Sequence, residues 1–412
     1  MGILKKIFKQ TSWQILGKVV TSLSTFLALG IIARNYQEAG VGVFTLATTY
    51  LAMFFQLVDF GFNAHLLKKV TAGPRRGGQQ VTDEWQRLFG TRLIWSVCLV
   101  ILAIGLLPFW PFTTPLFAQA VIFGSLAIVG FGIFTSANLV FQSRLSYERV
   151  ILASSIGSVI FLGLIFWWTS LKLSISTLVF AQTIQWLTVG LIAVFLLKKF
   201  VTKLTPLFDL QYGIKLIKDS WPIAATLGLN IIYFRADTFI VSFYHGTAQS
   251  GVYNVAYSVF QTILVLPSLI MNSYYPLMLE SLKNQAEKFR KQIILALLSL
   301  FGLSFVITLS TFYLSPLTIK ILTGSGFEGS LQSLKILSLG FPAFFTTALL
   351  IWLMIARGKY KLTLLIYTIG LVFNLLSNLI FVPQYSFYAS SWITVLSEYL
   401  ILSLQIVVLA FL

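Results

Sequence analysis

Long apolar runs separated by short polar stretches dominate this sequence. A bilayer core about 30 Å thick is crossed by about 20 residues of α-helix. A window of that length predicts twelve membrane-spanning helices, at about 12–33, 41–66, 87–109, 115–141, 147–169, 174–197, 219–243, 250–279, 291–314, 331–356, 361–382 and 387–411. The runs are too long for the strands of a barrel and do not alternate with polar residues. The predicted fold class is therefore an all-α membrane protein.

The composition supports this interpretation. Hydrophobic residues make up 57% of the 412 positions and charged residues only 10%, whereas a soluble domain carries about 25% charged residues. So few charges cannot keep a chain of this size in water. Cytosolic enzymes, secreted domains and disordered proteins are thereby excluded.

The positions of the cations indicate the membrane topology. With the N-terminus in the cytoplasm, 23 of the 29 lysines and arginines fall on the cytoplasmic side and 4 outside, while Lys18 and Arg235 lie within spans. The cytoplasmic count includes Arg87 and Arg92, at the start of the third span. This asymmetry is a strong positive-inside signal. It accounts for the net charge of +17 without a nucleic acid partner, and it predicts cytoplasmic termini and contact with anionic lipids.

A short internal repeat divides the chain into two halves. Residues 42–49 read Gly-Val-Phe-Thr-Leu-Ala-Thr-Thr and residues 251–258 read Gly-Val-Tyr-Asn-Val-Ala-Tyr-Ser, at an offset of 209 positions. Parallel repeats of six spans each place a substrate path between the two halves. We predict two six-helix lobes, 1–200 and 213–412, joined by a cytoplasmic linker at 201–212.

Several ordered motifs resemble one known family. In the first half they are Ala33-Arg34-Asn35-Tyr36, Gly40-Val41-Gly42-Val43-Phe44 and Asp59-Phe60-Gly61, and in the second half Arg235-Ala-Asp237, Gly251-Val-Tyr253-Asn-Val-Ala256 and Ala356-Arg357-Gly358-Lys359. Their order and spacing resemble bacterial polysaccharide flippases of the Wzx type. The resemblance runs over nearly the whole chain. That family shares a superfamily with multidrug-extrusion (MATE) transporters and the lipid II flippase.

The resemblance carries expectations about fold and function. It implies a MATE-like fold, with two six-helix lobes around a central cavity. It also implies that undecaprenyl-diphosphate-linked oligosaccharide moves by alternating access from the cytoplasmic to the outer leaflet of the bacterial inner membrane, for O-antigen or other surface polysaccharide assembly. The expected partners are this lipid-linked substrate, membrane lipids, the polysaccharide polymerase and other assembly proteins.

Charged and amide side chains within spans are the candidate binding residues. A charge at the centre of a membrane helix costs about 2.5–3.5 kcal/mol, so each one is a functional hypothesis. A diphosphate needs cationic donors, and arginine provides them as a planar fork. The predicted cavity residues are Arg235, Lys18, Asp237, Asn230, Asn254, Asn374 and Asn378. For Lys18, whose stem could reach back to the interface, snorkelling remains the alternative.

Two carboxylates are candidates for ion coupling. Glu398 lies near the middle of the twelfth span, where it must be protonated, paired or hydrated. Asp59 lies near the cytoplasmic end of the second span, followed by His65 and Lys68. Structural pairing is the alternative for Glu398, and a helix cap or an interfacial ion pair is the alternative for Asp59.

Signatures of catalysis, metal binding and cofactor binding are absent from the sequence. The chain has one cysteine, Cys98, and two widely separated histidines, and it lacks a glycine-rich phosphate loop. We therefore expect a transporter that is not an enzyme and uses no cofactor. An ion-coupled drug or metabolite antiporter on the same fold is the first alternative, although it would need acidic residues in the first lobe. A membrane glycosyltransferase or polymerase is the second, although it would need a large outer loop.

Overall fold

Helices make up the regular secondary structure throughout the part of the chain that the structure describes. The computed structural model describes residues 2–71, 78–110, 114–144, 146–271, 274, 278 and 286–410. The α-helices are α1 (Gly2–Asp59), α2 (Phe62–Thr71), α3 (Gly78–Gly105), α4 (Pro115–Gly124), α5 (Ala127–Ser143), α6 (Tyr147–Ser170), α7 (Ile175–Leu197), α8 (Leu210–Ile263), α9 (Ala286–Thr323), α10 (Glu328–Ser338), α11 (Phe341–Ala356) and α12 (Tyr360–Ala410). The all-α prediction is confirmed.

Many of these helices are long enough to span a membrane. Within the described ranges, eight helical stretches have the length and apolar composition to cross a bilayer, or nine if α10 and α11, which meet at a 46° bend, form one span. A lipid environment favours this architecture because a helix satisfies its own backbone hydrogen bonds. The protein is therefore a multi-pass membrane protein. The count of twelve spans stays a prediction.

Three of these helical stretches are each broken between two of the spans that the sequence analysis predicted. Each contains one residue with non-helical backbone angles: Gln37 in α1 (φ 56°, ψ −168°), Gly246 in α8 (φ 80°, ψ 176°) and Ser386 in α12 (φ 53°, ψ −143°). Glycine adopts such angles readily, whereas other residues are strained there. Each stretch therefore consists of two helices that meet at a kink, in the place where the sequence analysis predicted a connection between two spans.

The chain packs as two compact units. The first comprises Met1–Tyr36 and Val43–Arg235, and the second comprises Gln37–Gly42 and Ala236–Leu412. The short segment Gln37–Gly42, which begins at the break in α1, thus packs with residues far away in the sequence. The lobe limits predicted from the sequence, 1–200 and 213–412, stay a prediction.

Glycines allow α5 and α7 of the first unit to pack closely. A Cβ atom at Gly130 would lie 2.5 Å from the backbone nitrogen of Leu187, and one at Gly190 would lie 2.8 Å from the carbonyl oxygen of Gly130. The rings of Phe131 and Trp186 meet edge to face beside this contact, with centroids 4.8 Å apart. Small residues give close helix packing in membranes, where the lipid is as apolar as the side chains.

The segment predicted as a linker is anchored to α3. The backbone N–H of Leu207 donates to the carbonyl of Gln86 at 2.9 Å, and Gln86 Nε2 donates to the carbonyl of Thr205 at 2.7 Å. A Cβ atom at Gly90 would lie 2.1 Å from the Leu207 carbonyl oxygen, so only glycine fits here. Residues 201–209 therefore run along α3 as an ordered strap without regular secondary structure.

A tyrosine at the start of α8 strengthens this attachment. Tyr212 Oη donates to Glu84 Oε2 at 3.1 Å. Burial, together with the negative charge of Glu84, raises the pKa of Tyr212 above its ordinary value. The phenol therefore remains a hydrogen-bond donor at physiological pH. Arg87 and Asp209 form an exposed ion pair at 3.9 Å beside it.

Candidate functional site

A fully buried arginine lies at the centre of a polar cluster in the first unit. Arg92 on α3 has no exposed surface. Its Nη2 atom donates to Asp59 Oδ1 at 3.3 Å and to Asn63 Oδ1 at 3.2 Å. Its Nη1 atom lies 3.4 Å from Ser136 Oγ, and the ring of Phe62 lies 5.5 Å from the guanidinium carbon. The cluster ties α1, α2, α3 and α5 together.

The break between α1 and α2 gives this cluster its shape. Asp59 ends α1, and Asn63 is the second residue of α2. Between the helices, Phe60 has φ 45° and Gly61 has φ 75°. A Cβ atom at Gly61 would also lie 2.5 Å from a methyl carbon of Ile223, so backbone conformation and close packing both favour glycine.

Arg92 is a residue that the sequence analysis did not single out as a candidate. The positive-inside count included it among the cytoplasmic cations at the start of the third span, and the structure buries it within the membrane-length helix Thr82–Phe109. The available signal was its position five residues inside the predicted span, where a charge requires a partner. The partner is Asp59, and whether Asp59 has a role beyond this ion pair stays a prediction. His65 instead lies 4.0 Å from Asp219.

The two cations that the sequence analysis predicted to line the cavity have accessible side chains. Lys18 on α1 is exposed, and Arg235, the last residue of the first unit, is half-buried. Within the part of the chain whose side chains are described, neither ammonium nor guanidinium group forms an ion pair or a hydrogen bond. The side chain of the predicted Asn230 lies outside the described residues.

In the second unit, Asp237 is buried beside two hydroxyl groups. Tyr253 Oη donates to Asp237 Oδ2 at 2.6 Å, and Thr394 Oγ1 donates to the same oxygen at 3.3 Å. Asp237 and Tyr253 lie on opposite sides of the Gly246 break in α8, and Thr394 belongs to α12. The carboxylate therefore holds both parts of α8 against α12.

Asn254 forms a second link across the same break. Its Oδ1 atom accepts from Thr238 Oγ1 at 3.2 Å, and its Nδ2 atom donates to the carbonyl of Ser250 at 2.8 Å. Ser250 Oγ in turn donates to the carbonyl of Thr238 at 3.2 Å. All three side chains are buried, so the amide stabilises the bend in α8.

The predicted amides of α12 bond to each other and to two serines beyond the Ser386 break. Asn378 Nδ2 donates to Asn374 Oδ1 at 3.1 Å, and Ser390 Oγ donates to Asn378 Oδ1 at 2.7 Å. Asn374 Nδ2 donates to Ser397 Oγ at 3.2 Å. Both asparagines are buried, and the network joins the two parts of α12.

Glu398 also lies within the second unit. It is buried on α12, and its Oε1 atom accepts a hydrogen bond from Thr347 Oγ1 of α11. A hydroxyl donor satisfies part of the hydrogen-bonding capacity of a buried carboxyl group. This contact places Glu398 in a helix–helix interface, and its role in ion coupling stays a prediction.

The predicted site residues thus fall into two classes. The buried class bonds neighbouring helix segments and comprises Asp59, Asp237, Asn254, Asn374, Asn378 and Glu398, of which Asp59 alone is partly exposed. The accessible class consists of Lys18 and Arg235. Among the described residues no group of three or more His, Cys, Asp or Glu side chains could hold a metal ion. The substrate-binding roles stay predictions.

Comparisons with known protein sequences identify a family and a relative. The family described as "Polysaccharide biosynthesis protein" matches residues 7–282. A protein of Shigella dysenteriae named "Putative O-antigen transporter" is 25% identical over 260 residues, which cover 62% of this chain and 63% of that protein. The chain therefore matches slightly less than two thirds of the length of this relative.

Solved structures of two transporters share the fold. The lipid II flippase MurJ in an inward closed conformation has a TM-score of 0.76 at 14% identity, covering 98% of this chain and 87% of that chain. An inward-facing multidrug resistance MATE family transporter of the MOP superfamily has a TM-score of 0.73 at 12% identity, covering 95% and 93%. At such low identity these likenesses concern the fold alone, and they confirm the predicted MATE-like fold.

Proposed function

This chain belongs to the polysaccharide biosynthesis protein family, and we propose that it is a flippase for undecaprenyl-diphosphate-linked oligosaccharide. In this proposal the substrate moves from the cytoplasmic to the outer leaflet of the bacterial inner membrane, where it serves surface polysaccharide assembly. The family match over residues 7–282 is the observation that carries the proposal. The name of the Shigella relative and the fold shared with a lipid II flippase support it.

The accessible cations suit such a substrate. A diphosphate cannot enter hydrocarbon without compensation of its negative charge. Lys18 and Arg235 are accessible and form no ion pair among the described residues, so their charges are available to an anion. A guanidinium can bind two phosphate oxygens at once, whereas an ammonium acts as a point charge. We assign the main diphosphate contact to Arg235 and a second contact to Lys18.

The transport cycle needs no covalent chemistry. We propose that the carrier alternates between inward-open and outward-open states, with both termini in the cytoplasm as the cation distribution indicates. The sugars bind amide, hydroxyl and aromatic groups, while the polyprenyl tail stays in lipid. The polymerase and other assembly proteins then receive the product at the outer face.

An ion-coupled antiporter is the second candidate, and the likeness to a MATE transporter favours it. Cation exchange of that kind uses carboxylates that can take up and release an ion. Asp59, the acidic residue predicted in the membrane core of the first lobe, is bound to the buried Arg92. Its negative charge is therefore already matched, which weighs against a coupling role for Asp59 and against this second candidate.

Transport in proteoliposomes at matched protein amounts tests the proposal. The assay follows a lipid-linked oligosaccharide that reaches the outer face. Arg235→Ala should lower the rate about tenfold or more, because a charge-assisted hydrogen bond contributes about 1.5–3 kcal/mol. Arg235→Lys should restore only part of the rate. Arg290→Ala, which removes an exposed arginine of α9, is the matched control and should leave the rate unchanged.

Two outcomes would contradict the proposal. If the wild-type protein moves no lipid-linked oligosaccharide but exchanges organic cations for protons or sodium, the second candidate function is correct. If the wild-type protein transports the oligosaccharide and Arg235→Ala does so at the same rate, Arg235 does not contact the substrate.

A further inference from the structure

Two glycines at equivalent positions of the internal repeat bring two helix segments into backbone contact. Gly42 follows the break at Gln37 by five residues, and Gly251 follows the break at Gly246 by five residues. Each residue of the first pair is separated from its counterpart by 209 positions, the offset of the sequence repeat. Both breaks and both glycines belong to the second compact unit.

The contact leaves no room for a side chain at either glycine. A Cβ atom at Gly42 would lie 1.8 Å from the carbonyl oxygen of Thr247. A Cβ atom at Gly251 would lie 2.2 Å from the carbonyl oxygen of Glu38 and 2.8 Å from the backbone nitrogen of Gly42. Both neighbours are backbone atoms, which cannot move aside as the end of a flexible side chain can. An alanine at either position must push the two segments apart.

Backbone strain marks one end of the contact. Gln37 has φ 56° and ψ −168°, a strained conformation for a non-glycine residue that persists only where the surrounding structure holds it. Gln37 begins the segment 37–42, which packs with the second unit although residues on both sides of it pack with the first. Glu38, the next residue, takes part in the contact with 247–251, so the contact restrains the backbone directly beside Gln37.

Like charges oppose the contact. Glu38 and Glu328, at the start of α10, interact through their like negative charges. The start of α10 lies beside segment 247–251, because Ser330 Oγ donates to the carbonyl of Val252 at 2.6 Å. Close backbone packing therefore holds segments 37–42 and 247–251 together, while electrostatic repulsion between Glu38 and Glu328 favours their separation. A contact with such opposing contributions is suited to open and close within a transport cycle.

We propose that the contact of residues 37–42 with residues 247–251 is the outer gate of the transporter, closed in this structure, and that Gly42 and Gly251 allow it to close. The inference rests on the proposed transport function and on the predicted topology, in which both breaks face outward. Substrate release to the outer leaflet then requires these two segments to separate.

Thiol accessibility tests the gate without knowledge of the substrate. Ser250 is fully buried beside the contact. The probe Ser250→Cys replaces the oxygen that donates to the carbonyl of Thr238 by sulfur, so every further variant is compared with the Ser250→Cys parent. The native thiol is removed by Cys98→Ala, because Cys98 is exposed. A charged, membrane-impermeant thiol reagent added from outside should label the probe slowly. Adding Gly42→Ala or Gly251→Ala should raise the labelling rate about tenfold or more, and Glu38→Gln should lower it, since it removes the repulsion with Glu328.

Gly302→Ala in α9 is the matched control, because a Cβ atom at Gly302 meets nothing within 4 Å. It should leave both labelling and transport unchanged. Equally slow labelling in the Gly42→Ala, Gly251→Ala and parent proteins would overturn the gate. Labelling needs no transported substrate, so a failed flippase assay combined with faster labelling would refute the proposed substrate and retain the gate.

A reducible crosslink tests the gate if neither alanine variant accumulates in the membrane. Val41→Cys and Ser250→Cys, in a Cys98→Ala chain that keeps both glycines, place one thiol on each segment. Crosslinking should stop transport, and reduction should restore it. Undiminished transport by fully crosslinked protein would overturn the proposal.

Discussion

Removing the Asp59 carboxylate should destabilise the protein more than removing the Arg92 guanidinium, although the two groups form one ion pair. The two partners differ in their access to water: the Arg92 side chain is 0% exposed, whereas the Asp59 side chain is 26% exposed. In Asp59→Ala, the guanidinium keeps its charge but cannot be hydrated. In Arg92→Met, the carboxylate that remains can be hydrated.

The structure sets the expected sizes of these effects. Breaking a buried ion pair by removing one partner costs about 3–5 kcal/mol. Because Arg92 keeps the hydrogen bonds to Asn63 and Ser136, we expect the loss of stability in Asp59→Ala to lie near the lower end of this range, at about 3 kcal/mol. Arg92→Met removes the hydrogen bonds to Asp59, Asn63 and Ser136, but it leaves no buried charge and keeps an apolar side chain in the core. The buried amide oxygen of Asn63 loses its donor, so we expect a cost of about 1–3 kcal/mol for that change.

Reversible unfolding of the purified protein in mixed detergent micelles measures these differences. The double variant Asp59→Ala/Arg92→Met should be more stable than Asp59→Ala alone, because the buried charge is removed with its partner. The exposed pair of Arg87 and Asp209 on the same helix is the matched control. Arg87→Met should cost less than about 1 kcal/mol. An Arg92→Met variant less stable than Asp59→Ala would refute the reasoning.

Three further changes test other parts of the structure by the same unfolding measurement. Tyr253→Phe removes a donor to the buried Asp237 carboxylate and should cost about 1.5–3 kcal/mol, whereas an unchanged stability would mean that this hydrogen bond does not hold α8 to α12. Asn378→Ala leaves Ser390 without its acceptor and should cost about 2 kcal/mol, and a cost below about 0.5 kcal/mol would contradict that network. Gln37→Gly should stabilise the protein by up to about 1 kcal/mol because it relieves the strained φ, and a loss of stability would show that the break is unstrained.

The sequence by itself determined the class of the protein and most of its helices. Apolar runs of about 20 residues form helices because no other open structure satisfies its backbone hydrogen bonds in lipid. The repeat between residues 42–49 and 251–258 also indicated that the two halves of the chain correspond to each other. The structure has helix breaks at Gln37 and Gly246, which are separated by the same offset as the repeat. These features depend on local composition and periodicity, so they can be recognised without tertiary information.

Which polar side chains bond to one another was decided by the tertiary structure alone. Arg92 pairs with Asp59 across 33 positions, and Asp237 accepts from Thr394 across 157 positions. Hydropathy records that a residue is polar and how deep it lies, but not which helix packs beside it. The same limit explains why Arg92 was counted with the cytoplasmic cations. Whether a polar side chain meets a partner or remains accessible, as Arg235 does, follows from helix packing, because desolvation and hydrogen bonding depend on neighbours that the linear order does not specify.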